Sequence, residues 1–239
     1  MIEHITETGS TNADLLARLA AGDVVPNGYW LVADRQSAGR GRQGRSWFDG
    51  AGNFMGSTAV RLAAGDPPAG TLALLAGLAL HEVIAARLPP PQRAMLKWPN
   101  DVSIGAAKLA GILLERAGDW VVVGIGVNLA VAPDLPDRPT IALTAFGPAP
   151  DRDLFAADLA GQFVTELERW RSYGLAAVIS RWLLAGHPLG TPLSVGEPGD
   201  RPLAGNFAGL TDEGALQLRL ADGTCHAIHA GEVRLADTN

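Results

Sequence analysis

The chain has one cysteine, Cys225, in 239 residues. A single thiol cannot close an internal disulfide or build a thiolate zinc cluster. Basic residues are also short. Nineteen Lys plus Arg stand against 25 Asp plus Glu, giving a net charge of -6 and a pI near 5.3. A general nucleic-acid binder needs net or strongly clustered positive charge, so DNA binding is not expected. Long apolar runs are missing. The two longest, Thr71–Leu80 and Trp120–Ala132, are too short to span a bilayer, and His81 and Glu82 interrupt the first, so no membrane association is expected. The opening MIEHITETGS is acidic and has no apolar centre, so it does not read as a secretory signal. A cytoplasmic protein is the expectation.

What is present is a core-forming composition: 47% hydrophobic and 18% charged residues. The length suits one large domain with a small appendage. Twenty-nine Gly and 16 Pro cut the chain into short elements, without a visible repeat. Ser10 or Thr11 can cap a helix through Leu15, Leu16 and Leu19 that ends at Gly22. Strands are expected at Tyr29–Ala33 and Asn53–Leu62, with a glycine-rich loop between them. An apolar helix follows from about Thr71 to Leu88. Met95–Trp98, Lys108–Glu115 and Trp120–Leu129 read as adjacent strands. A Pro-rich loop covers Ala132–Pro139. Phe155, Leu159, Phe163, Leu167 and Trp170 recur at helical spacing, and Leu175–Leu184 suggests a second helix. After His187 short alternating segments and turn clusters predict a small β-barrel of roughly fifty residues, marginal as an independent fold and expected to pack on the rest. The expected division is 1–186 and 187–239.

Four motifs carry chemistry. Gly39-Arg40-Gly41-Arg42-Gln43-Gly44-Arg45-Ser46-Trp47 interleaves three arginines with three glycines. Glycine permits close backbone approach, and arginine's fork binds carboxylate or phosphate with two parallel bonds. The loop therefore suits an anionic ligand. Its G-x-G-x-x-G spacing is not a dinucleotide fingerprint, because the residues after it make a poor helix. Lys97-Trp98-Pro99-Asn100-Asp101 groups a cation, an aromatic plane, an amide and a carboxylate; alone it also reads as an ordinary turn. Lys108-Leu109-Ala110-Gly111-Ile112-Leu113 opens an apolar strand on a lysine and buries a glycine in it, which marks either a close ligand or a bulge. Gly124-Ile125-Gly126-Val127-Asn128 places two glycines on one strand face, with room for a flat ligand, beside an amide that can donate and accept. A tightly packed sheet with a turn-forming Asn is the alternative there.

In this order and spacing, together with Gly9-Ser10-Thr11-Asn12 and Gln36, these stretches resemble the biotin protein ligases over nearly the whole chain. The match begins almost at Met1, so the monofunctional form without a DNA-binding domain is expected. The resemblance implies an α+β fold: a mixed central sheet flanked by helices, class II synthetase-like, with a small C-terminal SH3-like β-barrel. It implies that biotin and ATP form biotinyl-5′-AMP with Mg²⁺, and that biotin then passes to one lysine of the biotin carboxyl carrier domain of a carboxylase.

By that resemblance, Ser10, Thr11, Asn12 and Gln36 bind the ureido ring. Gly39, Arg40, Gly41 and Arg42 close over biotin and the adenylate. Lys108 is the main catalytic cation, with Arg40 and Arg42, and contacts the biotin carboxylate and α-phosphate. Gly111 and Gly124 line the biotin slot. Trp47, Lys97, Asn100, Asp101 and Asn128 serve ATP, with Asp101 the weak candidate for metal. Arg234 is the candidate for a basic residue that family members place near the C-terminus, and 132–139 sits where they carry a lid. Family members include both homodimers, paired through sheet edges, and monomers. The nearest rival is a lipoate or octanoate protein ligase or transferase of related fold; a non-catalytic biotin or nucleotide sensor is the rival of another class.

Overall fold

Alternation along one strand shows how the larger sheet is covered. Trp30 and Leu31 are neighbours in β2 (Trp30–Gln36) and point to opposite faces. Trp30 and Val32 enter the main core; Leu31 enters a smaller cluster with Leu15, Tyr29, Ala59 and Val122. Leu15 comes from α1 (Thr11–Ala20), which follows the edge strand β1 (Ile2–Thr8) and covers that second face. The computed structural model describes residues 1–196 and 202–235. Beyond β2 come β3 (Phe54–Arg61), α2 (Leu72–Ala85), β4 (Ala94–Lys97), β5 (Asp101–Ile104), β6 (Ala107–Ala117) and β7 (Trp120–Val127).

The seven strands lie in the order β1-β2-β3-β7-β6-β5-β4. Only β1 and β2 run parallel; the others pair antiparallel. Two expectations are corrected here. Met95–Trp98 and Lys108–Glu115 are not neighbours, because β5 lies between them. The first residues form a strand, β1, that the sequence pattern did not announce.

α2 is buried on nearly every turn, as its apolar sequence predicts, and packs against α3 (Arg152–Ala185). That helix is two segments merged at Gly174, whose φ of 72° breaks the helical path at a conformation open to glycine. Across the break, fully buried Glu166 pairs with Arg169 and Arg181, tying the segments together. The last strands are β8 (Pro192–Gly196), β9 (Leu203–Leu210), β10 (Leu216–Arg219), β11 (Cys225–Ile228) and β12 (Glu232–Leu235). They form an antiparallel sheet, β11-β10-β9-β8-β12. Its Leu193, Phe207, Leu218 and Val233 join the main core rather than a separate one. Trp182 meets Phe207 edge-on across that junction. Residues 236–239, the end of the expected second division, lie outside the described residues.

Candidate functional site

β7 lays out the site. Gly124 and Gly126, with Asn128 just past the strand's end, follow at two-residue intervals, about 13 Å from end to end. Each carries a different chemistry. A cavity of about 380 Å³ runs over them, walled by the start of α1, the end of β2, the arginine–glycine loop, β3, the 97–101 turn, β6, the 133–140 loop and β12.

Gly124 marks a neutral end. A Cβ there would collide with the amide of Asn12, which lies flat on the strand. Opposite Gly124 on β3 sits Ser57, fully buried. Pairing of Thr8 with Gln36 brings the end of β2 beside the start of α1. There the Thr11 N–H donates to Gln36 Oε1 at 2.7 Å. The Thr11 and Ser57 hydroxyls are 2.6 Å apart, and Ser57 donates to Asn12 Oδ1 at 2.6 Å. Ser10 stands at the N-cap but makes no capping bond with its side chain, so its hydroxyl is not consumed by the helix. Ser10, Thr11, Asn12, Gln36 and Ser57 are all buried and all uncharged.

Gly126 marks the middle. A Cβ there would run into the indole of Trp47, which also faces Gly111. Trp47 is positioned by the arginine–glycine loop, closed by Trp47 N–H to Gly39 O at 2.8 Å and Gly41 N–H to Arg45 O at 2.7 Å. Gly39 is set back from the cavity, packed under Gln36 and Trp47, while Arg40, Gly41, Arg42 and Arg45 line it. Lys108 Nζ lies 5.7 Å from the Trp47 ring centre and 2.6 Å from Asp101 Oδ1. Lys97, paired with Asp101 across β4 and β5, also lines the cavity. Burial lowers the Lys97 pKa; the Asp101 carboxylate opposes that, and the Lys108 charge adds to it. Arg42 donates to Asn100 Oδ1 at 3.3 Å. Asn100 in turn donates to Ile112 O at 2.6 Å, which holds the turn on β6.

Asn128 marks the far end. Its Nδ2 donates to Ile141 O, while its buried Oδ1 has no partner among the described residues. Trp47 Nε1 is likewise buried and unpartnered. An orphan acceptor and an orphan donor in one cavity are groups a ligand can satisfy. The 132–139 loop is anchored at its exit, where Lys108 N–H donates to Pro139 O at 2.9 Å.

Sequence reasoning did not single out Ser57, Glu115, Arg138 or Glu232, and it placed Arg45 in the anion-binding loop without a role of its own. Glu115 accepts from Asn12 Nδ2 and pairs with Arg40. Glu232, on β12, pairs with Arg45 and Arg138 at 3.1 and 3.2 Å. The C-terminal sheet thus reaches the cavity through Gly231, Glu232 and Val233. Arg234 does not line it; it is exposed beside Glu232. Among the described residues no three His, Cys, Asp or Glu are grouped to hold a metal, and Asp101 is engaged by Lys108.

Residues 10–129 match the Biotin/lipoate A/B protein ligase family, and residues 189–235 match the Biotin protein ligase C terminal domain. A biotin--[acetyl-CoA-carboxylase] ligase of Paracoccus denitrificans is 38% identical over 226 residues, covering 90% of this chain and 92% of the relative. One of Mycobacterium tuberculosis is 37% identical over 238 residues, covering 97% and 88%. The structure of an Aquifex aeolicus biotin protein ligase in complex with biotin and ATP shares the fold: TM-score 0.85 at 24% identity, over 98% of this chain and 99% of that one.

Proposed function

The chain belongs to the biotin protein ligase family, and we propose how its cavity performs the reaction of an ATP-dependent biotin ligase. Biotin is activated to biotinyl-5′-AMP, and the biotinyl group then passes to a lysine of the carrier domain of a carboxylase. The observation that carries the residue assignment is the three-part layout along β7: neutral at Gly124, cationic around Gly126, and an unpaired acceptor at Asn128.

Biotin's ring is a neutral cyclic urea, so it belongs at the neutral end with Ser10, Thr11, Asn12 and Gln36. Charged side chains there would be costly to desolvate without a charged partner. The valeryl chain then runs over Gly124 and Gly111 and brings its carboxylate to Lys108. Asn128 Oδ1 accepts from the adenine amino group, and Trp47 offers its ring to the base.

In the first step a carboxylate oxygen attacks the α-phosphorus and pyrophosphate leaves. Two anions must meet, so charge neutralisation and alignment dominate the barrier. Lys108, Arg40 and Arg42 supply the positive charge; Lys97 and Asn100 support the nucleotide side. Mg²⁺ enters with ATP as part of that substrate. In the second step the carrier's lysine amine attacks the acyl carbonyl, the bond to phosphate breaks and AMP leaves. No enzyme nucleophile is needed. Cys225 is exposed on β11 and does not line the cavity. The reading includes action in the cytoplasm, without DNA binding.

The test is mass spectrometry of a carboxylase carrier domain incubated with this protein, ATP and Mg²⁺, with biotin in one tube and lipoate in another. Gain of one biotinyl unit only in the biotin tube is expected. Gain only with lipoate would move the protein to the lipoate class.

A further inference from the structure

One carboxylate touches both the floor and the loop of the neutral end. Glu115, on β6, accepts from Asn12 Nδ2 at 2.8 Å through one oxygen. Its other oxygen lies 3.4 Å from Arg40 Nη2 on the arginine–glycine loop. We infer that Glu115 is a positioning residue for the urea end of biotin: it sets the direction of the hydrogen-bond chain that meets the ring and ties that chain to Arg40. The inference rests on biotin being the ligand of this end.

The direction follows from donor counting. A carboxylate only accepts, so Asn12 must turn its NH₂ to Glu115 and its Oδ1 away. That oxygen accepts from Ser57 Oγ. The single Ser57 proton is then spent, so the 2.6 Å contact between the Ser57 and Thr11 hydroxyls is donated by Thr11. The Thr11 proton is spent in turn, so of the two Thr11 groups near Gln36 Oε1, the hydroxyl at 3.1 Å and the backbone N–H at 2.7 Å, the N–H is the one that donates. Gln36 thereby presents its NH₂ as a donor, while the hydroxyls keep lone pairs as acceptors. A cyclic urea needs both kinds: its carbonyl accepts and its ring N–H groups donate. Without an acceptor-only group at the head, Asn12 can flip and the hydroxyl bonds of Ser57 and Thr11 lose their fixed direction. Arg40 supplies the charge opposite Glu115 and couples this order to the loop that covers the ring.

The test compares the full-length protein with Glu115→Gln, Ser57→Ala and the double variant, by biotin-dependent pyrophosphate release and thermal melting. Gln keeps the shape but can offer either end of its amide. The expected result is a biotin KM raised about tenfold in Glu115→Gln, the scale of losing one hydrogen bond to a charged group. The ATP KM and the kcat at saturating biotin stay unchanged. Because the residues act as one chain, the double variant loses much less than the product of the single losses. An unchanged biotin KM, a loss falling on kcat, an equal loss for ATP, or multiplying losses would each overturn the inference. Wild-type protein that releases no pyrophosphate with biotin would overturn the biotin reading itself. Wild-type activity with an unaffected Glu115→Gln would overturn this inference alone.

Discussion

Lys108 Nζ lies 2.6 Å from Asp101 Oδ1, on the adjacent strand of the same sheet. The carboxylate holds the ammonium extended over the middle of the cavity instead of letting it turn to solvent. An incoming phosphate or carboxylate oxygen meets a charge already in place, which is what catalysis between two anions requires. Lys108→Ala is expected to lower adenylate formation by about 10² to 10³-fold, the usual cost of one charge-stabilising donor. Folding should survive, because the side chain stands at the cavity wall rather than in the core. Pyrophosphate release at the wild-type rate would remove Lys108 from the chemistry.

The two glycines of β7 separate the substrates in a second experiment. A methyl group at Gly124 collides with Asn12, whereas at Gly126 it collides with Trp47. Gly124→Ala should therefore raise the biotin KM and spare ATP. Gly126→Ala should displace the indole, raise the ATP KM and change tryptophan fluorescence. The same KM affected by both variants would contradict the assignment of ends.

Much of this was legible, for identifiable reasons. The helix α2 announces itself by its apolar composition, and the first segment of α3 by its helical period. β1 does not, because an edge strand half open to solvent shows no apolar alternation. β5 is four residues behind a Pro-Asn turn, and it reads as part of that turn. The motif residues were readable because each sits in a distinctive run. Ser57, Glu115 and Glu232 sit in none; strand pairing and the docking of β12 bring them to the cavity. A compositional signal was available as well. The chain has only two lysines, Lys97 and Lys108, and both line the cavity.

Lys97 gives a pH prediction. Burial holds its pKa below the ordinary lysine value of about 10.4. As pH rises toward that value, the folded protein loses this proton before an exposed lysine would. The ATP KM should climb through that window while the biotin KM stays level. Folding stability moves the other way, since the unfolded chain binds the extra proton there and deprotonation favours the native state. Weaker ATP binding at high pH is thus separable from unfolding. Lys97→Arg keeps its charge and should flatten the ATP profile; a profile identical to wild type would assign the effect to another group.

The scarcity of lysine has a chemical consequence. An acyl-adenylate that escapes the site acylates amines: the nitrogen attacks the carbonyl, AMP leaves and a proton is released. This chain offers few targets. Lys108 is held by Asp101, and Lys97 is half-buried. The Met1 amine lies at the far end of β1, about 23 Å of extended chain from Thr8. The protein should therefore keep its intact mass during long incubation with biotin, ATP and Mg²⁺ in the absence of a carrier. Arg234→Lys places an exposed amine on β12 beside the cavity wall and preserves the charge. That variant should gain one biotinyl unit, mapped to residue 234 by peptide mass spectrometry. Labelling of Lys97 or Lys108 in the wild-type chain, or an unlabelled Arg234→Lys under conditions that modify the carrier, would show that something other than amine supply limits self-acylation.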